Sequence, residues 1–177
     1  MKTLFVSGEQ LRHFADSSQQ RNGQAWFVPD TDRQWVAAIY PAIKITRLGT
    51  HIAEKFAGRY YDSVSAVSIF VPESLAEAMA DVPERFFVSD SAYCLGDGCE
   101  VGTTDAVHNI SAGSQTLTFS CGELGVDRII SEISRFATLK MGDLIIFGNR
   151  GLVSRLTEGE RFEVTLDGRR SIELRIK

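Results

Sequence analysis

Apolar and polar residues alternate through "RFEVTL" (161–166) and "RSIELRI" (170–176), and Asp167-Gly168 lies between the two runs. Period two on both sides of an Asp-Gly pair predicts a β-hairpin closed by a tight primed turn. Upstream, "VDRIISEISRF" (126–136) brings Ile129, Ile130, Ile133 and Phe136 together at helical spacing, with charges on the other face. The chain then turns at Gly142 and enters an apolar strand over 144–147 that stops at Gly148. A second helix is predicted over 51–64, where Ile52, Phe56 and Tyr60 recur every four residues and Glu54 and Lys55 face water. Between 85 and 121 the pattern is of short strands broken by "GDGCEVG" (96–102) and "SAGSQ" (111–115), where glycine supplies positive φ. The elements sum to a β-rich α+β fold, one domain over 1–177, with two helices and about eight strands.

One stretch breaks the ordinary mixture. "WVAAIYPAI" (35–43) carries no charged side chain, and no acid occurs anywhere between Asp32 and Glu54. A continuous apolar run of this length reads as a buried strand.

Composition narrows the class of partner. Hydrophobic residues make up 44% of 177, enough for a sizeable core. The longest apolar runs are far short of the roughly 20 residues that a membrane helix needs, and the first residues lack a secretory apolar core. A net charge of −4 provides no basic field for a phosphate backbone, which argues against nucleic acid. Three cysteines, Cys94, Cys99 and Cys121, are an odd number that suits a reducing compartment, so a cytoplasmic protein is expected. With His108 they could be arranged as zinc ligands, but the C-x4-C spacing lacks a second close pair, and core or surface thiols are the expectation.

"ITRLGTHIAEKFAGRYYD" (45–62) and "ISRFATLKMGDLIIFG" (133–148), in that order and followed by the hairpin, resemble small members of the fumarylacetoacetate hydrolase family. "RNGQAWFVPD" (21–30) is similar to the segment which that family places before its metal-binding strand, and the resemblance covers about two thirds of the chain. It implies a mixed β-roll, assembled as a homodimer, with Mg²⁺ or Mn²⁺ in its mouth and 2-oxo acids as substrates. The cation would be held by a Glu-x-Glu on one strand and an Asp on a later one, hard oxygen ligands for a hard ion that stabilises an enolate. Carried onto this sequence, those positions fall on Ala38, Tyr40 and Ile69. Methyl, phenol and branched hydrocarbon replace three carboxylates, so the expectation is a protein without the family's metal site and no cofactor. Because no acid lies nearby, a register slip of two does not restore one.

The same resemblance implies roles elsewhere. His13 and Asp16 match a His-x-x-acid spacing that activates water in the hydrolases, against the alternative of a surface histidine and a simple cap. Arg85 stands near the position of a substrate lysine, where it could hold a carboxylate bidentately. Asn149 and Arg150 in "GNRG" (148–151) replace the family's Thr-Pro. Asp30 and Asp32, the nearest acidic pair to the apolar strand, stand two apart in a turn after Pro29 and read as a solvated loop, or as a relocated metal site if the protein is an enzyme. "GDGCEVG" lacks the helix and lysine of a phosphate loop, and no G-x-S-x-G occurs. The leading expectation is a catalytically degenerate protein, a pseudoenzyme that binds a small carboxylate or a partner. The alternatives are a hydrolase or decarboxylase of 2-oxo acids using His13 and Asp16, and a structural subunit in which Tyr40 and Ile69 fill the pocket.

Overall fold

The computed structural model describes residues 1–32, 34–76 and 82–177. Its strands are β1 (Thr3–Ser7), β2 (Gln10–Phe14), β3 (Gln19–Gln20), β4 (Ala25–Trp26), β5 (Trp35–Lys44), β6 (Ser63–Pro72), β7 (Tyr93–Leu95), β8 (Cys99–Glu100), β9 (His108–Ala112), β10 (Gln115–Phe119), β11 (Leu144–Phe147), β12 (Leu152–Arg155), β13 (Arg161–Leu166) and β14 (Arg169–Ile176). Helices are α1 (Glu54–Ala57), α2 (Arg85–Val88), α3 (Cys121–Leu124) and α4 (Val126–Ser134). The larger sheet runs β2-β1-β11-β5-β6-β7-β3, with β12 added to β5 and β8 to β6, and the smaller runs β10-β9-β13-β14-β4. Pairing is mostly antiparallel, while β1–β11, β3–β7 and β4–β14 are parallel. The result is a β-rich arrangement of two mixed, curled sheets.

The apolar strand is the centre of the larger sheet. β6 lies along one side of it for nine residue pairs, Trp35↔Pro72 to Ile43↔Val64. On the other side β12 covers Val36 to Ile39 and β11 covers Ala42 to Lys44. Pro41 falls in the gap between those two partners, where a residue without an N–H removes no ladder bond. One face of β5, with Trp35, Ala37, Ile39 and Ile43, joins a core that includes Ile110, Phe162, Val164, Ile172 and Leu174 of the smaller sheet and Ile129, Ile130 and Ile133 of α4. The opposite face, with Val36, Ala38, Tyr40 and Ala42, enters a second apolar cluster. Both faces being dry, a charge anywhere in 35–43 would lose its hydration without a partner.

The hairpin forms as its turn chemistry requires: Asp167 and Gly168 both have positive φ, 50° and 74°, the signature of a type I′ turn. α4 follows α3, whose N-terminus carries a complete capping box between Ser120 and Glu123. The helix read over 126–136 ends at Ser134, and Phe136 lies outside it at 72% exposure. The helix read over 51–64 is reduced to the single turn of α1. His51 has φ of +50° and Ala53 is extended, so the helix cannot start earlier. The segment instead donates from His51 N to Ser134 O and from Ile52 N to Ser134 Oγ, docking on α4. Tertiary bonds here replace intrahelical ones.

The two stretches that carry the family resemblance meet in space. Gly49 and Leu139 exchange N–H···O bonds of 2.9 Å in both directions, and Ile45 N donates to Asp143 O. Asp143, 1% exposed, accepts from Lys2 N, Lys140 N and Lys2 Nζ at 2.7, 2.9 and 3.0 Å, fastening the start of β1 to the turn before β11. Burial alone would raise its pKa; the three donors outweigh that and hold it below the usual carboxylate value.

Candidate functional site

Ala38, Tyr40 and Ile69 converge. Ala38 pairs directly with Ile69 and Tyr40 with Val67, so the three side chains share one face of the β5–β6 ladder. They are 0%, 5% and 1% exposed. Phe5 of β1 sets its ring edge-on to Tyr40 at 5.4 Å, and Phe87 of α2 lies 5.9 Å from Phe5. Phe14 of β2 continues the stack, 4.9 Å from Phe87 and 4.8 Å from Tyr93. Tyr93 keeps its hydroxyl hydrogen-bonded to Thr3 Oγ1 at 2.9 Å. The loop 148–151 closes the assembly with glycine at each end. A Cβ on Gly148 would collide with the Phe5 ring, and one on Gly151 with the Tyr40 ring and Ile39 O. Burial pushes the Tyr40 phenol far above its ordinary value, so the oxygen stays protonated.

His13 and Asp16 are not assembled into a pair. His13 sits on the exposed side of β2, opposite the buried Phe14; Asp16 is exposed, and no hydrogen bond or ion pair joins them among the described residues. The inward neighbour is Arg12, which stacks 5.1 Å over Phe87 and donates to Val82 O. Asn149 Oδ1 accepts from Gly8 N at 2.7 Å, tying the 148–151 loop to the β1–β2 turn. Asp30 and Asp32 are both exposed, Asp30 in a turn and Asp32 just after it.

Arg85 opens a different site. It lines a cavity of about 420 Å³ together with Trp26, Trp35, Phe70 and Phe86, and two acids, Asp32 and Asp90, line it as well. Trp26 contacts Phe70 at 4.7 Å and Trp35 at 5.8 Å, and Trp35 contacts Phe86 at 6.1 Å. Each indole is fixed by its own N–H, Trp26 to Ser91 O and Trp35 to Pro29 O, both at 3.1 Å. The Arg85 guanidinium lies 5.0 Å over the Phe86 ring and forms no ion pair among the described residues. Sequence reasoning flagged Arg85 but missed the walls, because the tryptophans and Phe70 come from three separated strands.

The cysteines do not gather as a group with His108. Cys94 is buried in the larger sheet, its thiol pushed up to about 12 by burial and then by Asp97. Cys121 starts α3 beside Tyr61. Cys99 alone meets His108, and Asp167 of the hairpin turn joins them, with the three potential ligand atoms within 4.8 Å of one another. The acid was invisible as a candidate because its Asp-Gly setting already explained it as a turn.

No protein-family model matches the sequence, and a comparison with curated proteins finds no match. Solved structures do match in shape. A Yersinia pestis protein described as of the fumarylacetoacetate hydrolase family superimposes with a TM-score of 0.77 at 17% identity, over 99% of this chain and 92% of that one. Fumarylpyruvate hydrolase from Pseudomonas aeruginosa, solved with Mn²⁺ and pyruvate, gives 0.76 at 14%, over 99% and 89%. The 2-hydroxyhepta-2,4-diene-1,7-dioate isomerase of Mycobacterium marinum gives 0.76 at 15%, over 99% and 73%. The chain therefore has the fold of the fumarylacetoacetate hydrolase family, shared with hydrolases and isomerases. Among the described residues no helix is long and apolar enough to cross a membrane.

Proposed function

We propose that this protein is a metal-independent binding member of that fold, in which an aromatic cluster fills the face where relatives hold a divalent cation and the Arg85 cavity takes a small carboxylate. The observation that carries the first half is the enclosure of Ala38, Tyr40 and Ile69 under Phe5, Phe14, Phe87 and Tyr93. The donor set does not fit a hard cation: the only oxygen among the three side chains is a protonated phenol, and Mg²⁺ or Mn²⁺ would give up hydration for no anionic ligand. The second half rests on the cavity. Its volume lies within the roughly 300–1,000 Å³ of small-molecule sites, and its walls are largely aromatic; Asp32 and Asp90 also line it, and Arg85, which forms no ion pair among the described residues, is the cation available to a carboxylate there. A planar carboxylate such as an aryl 2-oxo acid would stack on the indoles while its carboxylate pairs with Arg85.

Titration calorimetry with Mg²⁺ and Mn²⁺ tests the first half; saturable micromolar binding that survives Cys99→Ser would overturn it. The second half has an internal reporter, because Trp26 and Trp35 are the two tryptophans of the chain and both line the cavity. Phenylpyruvate should quench their emission saturably, and Arg85→Ala should weaken that by about tenfold, equivalent to ~1.4 kcal/mol. Quenching unchanged by Arg85→Ala would remove the carboxylate reading.

Self-association as a homodimer belongs to the same proposal. Leu48, Phe136 and Met141 are 69%, 72% and 77% exposed on the two loops joined by the Gly49–Leu139 bridge, an apolar surface suited to a second copy. Light scattering that finds a monomer across micromolar concentrations would exclude it.

A further inference from the structure

Two consecutive strands and a distant turn bring Cys99, His108 and Asp167 to one point: β8 of the larger sheet, and β9 and the β13–β14 turn of the smaller one. His108 is 5% exposed, and its ring is set by its Nε2, 3.2 Å from Val101 O. A carbonyl oxygen only accepts, so Nε2 carries the hydrogen. In the neutral ring Nδ1 is then a bare lone pair, and it faces Asp167 Oδ2 at 2.8 Å. Two acceptors at that distance repel unless something positive lies between them, either a second ring proton or a metal ion. Asp167 is itself held in place. Its Oδ1 accepts from Asn109 N at 2.8 Å, and its own N–H donates to Asn109 O at 2.8 Å. Cys99 Sγ lies 3.3 Å from the same Oδ2 and 3.8 Å from Nδ1.

We propose that Cys99 Sγ, His108 Nδ1 and Asp167 Oδ2 bind a borderline divalent cation of the zinc class, with water as the fourth ligand. A tetrahedral zinc, with sulfur at ~2.3 Å and nitrogen or oxygen at ~2.0–2.1 Å, holds its ligand atoms about 3.3–3.7 Å apart. The observed edges of 2.8, 3.3 and 3.8 Å form such a face once the nitrogen–oxygen edge opens by about half an ångström and the two sulfur edges shift by a few tenths. The mixed sulfur, nitrogen and oxygen set suits zinc and not magnesium. The Nε2–H···O=C bond to Val101 is the outer contact by which proteins orient a metal-bound imidazole. The fourth corner is open, because the Asp167 side chain is 34% exposed. In the metal-free protein, burial and then Asp167 push the Cys99 thiol up to about 11. Binding therefore displaces the thiol proton to solvent and leaves a Zn–thiolate bond. The ion joins the two sheets, so its effect is on the stability of their junction.

The test uses the full chain, purified metal-free, with Zn²⁺ and Co²⁺ as probes. One equivalent of zinc per chain is expected, with a rise in Tm, and cobalt should give the near-ultraviolet charge-transfer band of a thiolate ligand. Cys99→Ser should abolish the band and weaken zinc by at least tenfold; Asp167→Asn should weaken zinc while keeping the band. Cys94→Ser should leave both unchanged. Circular dichroism of each variant confirms folding, and Cys99→Ser changes one atom at a half-buried site. No saturable zinc uptake, or uptake with the same affinity in Cys99→Ser, overturns the assignment. Because the probe band requires a thiolate, failure here is distinguishable from Mg²⁺ or Mn²⁺ binding elsewhere.

Discussion

The two faces of the β5–β6 ladder are built from the same kind of residue and end differently. On one face Tyr40, Phe5, Phe14, Phe87 and Tyr93 interlock and exclude water. Toward the other, Trp26, Trp35, Phe70 and Phe86 stand around a cavity of about 420 Å³. α2 shows the contrast within one turn: Phe87 seals the first face and Phe86 lines the second. The difference lies in what restrains the rings. On the closed face, glycines at 148 and 151 let the loop descend onto Phe5 and Tyr40 until no gap remains. Around the cavity, each indole N–H is tied to a loop carbonyl, so the rings cannot collapse into the space they enclose. Aromatic content alone decides neither core nor pocket; the polar anchors do.

The strongest way to break this comparison is to put the acids back. Ala38→Glu, Tyr40→Glu and Ile69→Asp together should cost more than about 5 kcal/mol and give an unfolded chain, because three carboxylates would be buried against hydrocarbon. Far-UV circular dichroism checks it, and a folded variant that takes up Mn²⁺ would show that the face can reopen. Tyr40→Ala should cost about 3–5 kcal/mol in urea denaturation, the range for emptying a buried aromatic site.

Smaller effects sharpen the picture. Gly151→Ala should cost about 1–3 kcal/mol by overpacking against Tyr40 and Ile39 O, and less in the Tyr40→Ala background, where only the clash with the Ile39 carbonyl remains. Strict additivity in that double mutant would mean the loop does not seat on the ring. Asp143 anchors the strand that carries Phe5, and its folded pKa is depressed below the unfolded value near ~3.9. Its contribution is thus fully present above that value and is lost as pH falls through the folded pKa. Stability measured from pH 6 down to 2 should decline steeply in the last units, and Asp143→Asn should flatten the decline while lowering stability at neutral pH. The smallest expected change is a gain. Ser68 Oγ is buried in β6 without a hydrogen-bond partner among the described residues, so Ser68→Ala should stabilise by about 1 kcal/mol in the same urea assay.

Some of this was legible in the chain itself. Local pattern determined the β13–β14 hairpin, since Asp167-Gly168 satisfies a primed turn within four residues, and it determined the core of α4 and the charge-free β5. It also put the two family-like stretches in order, although only the folded chain shows them joined at Gly49 and Leu139. The 51–64 stretch misled because its four-residue spacing competes with bonds to Ser134, more than 80 residues away. The same is true of every feature that gives the molecule its chemistry. Phe5 reaches Tyr40, Arg85 reaches the indoles, and Asp167 reaches Cys99 and His108 only when two sheets close on each other. Turns and periodicity depend on neighbours a few residues apart, whereas enclosure, cavities and ligand clusters depend on register and loop anchoring, and those are set by the whole fold at once.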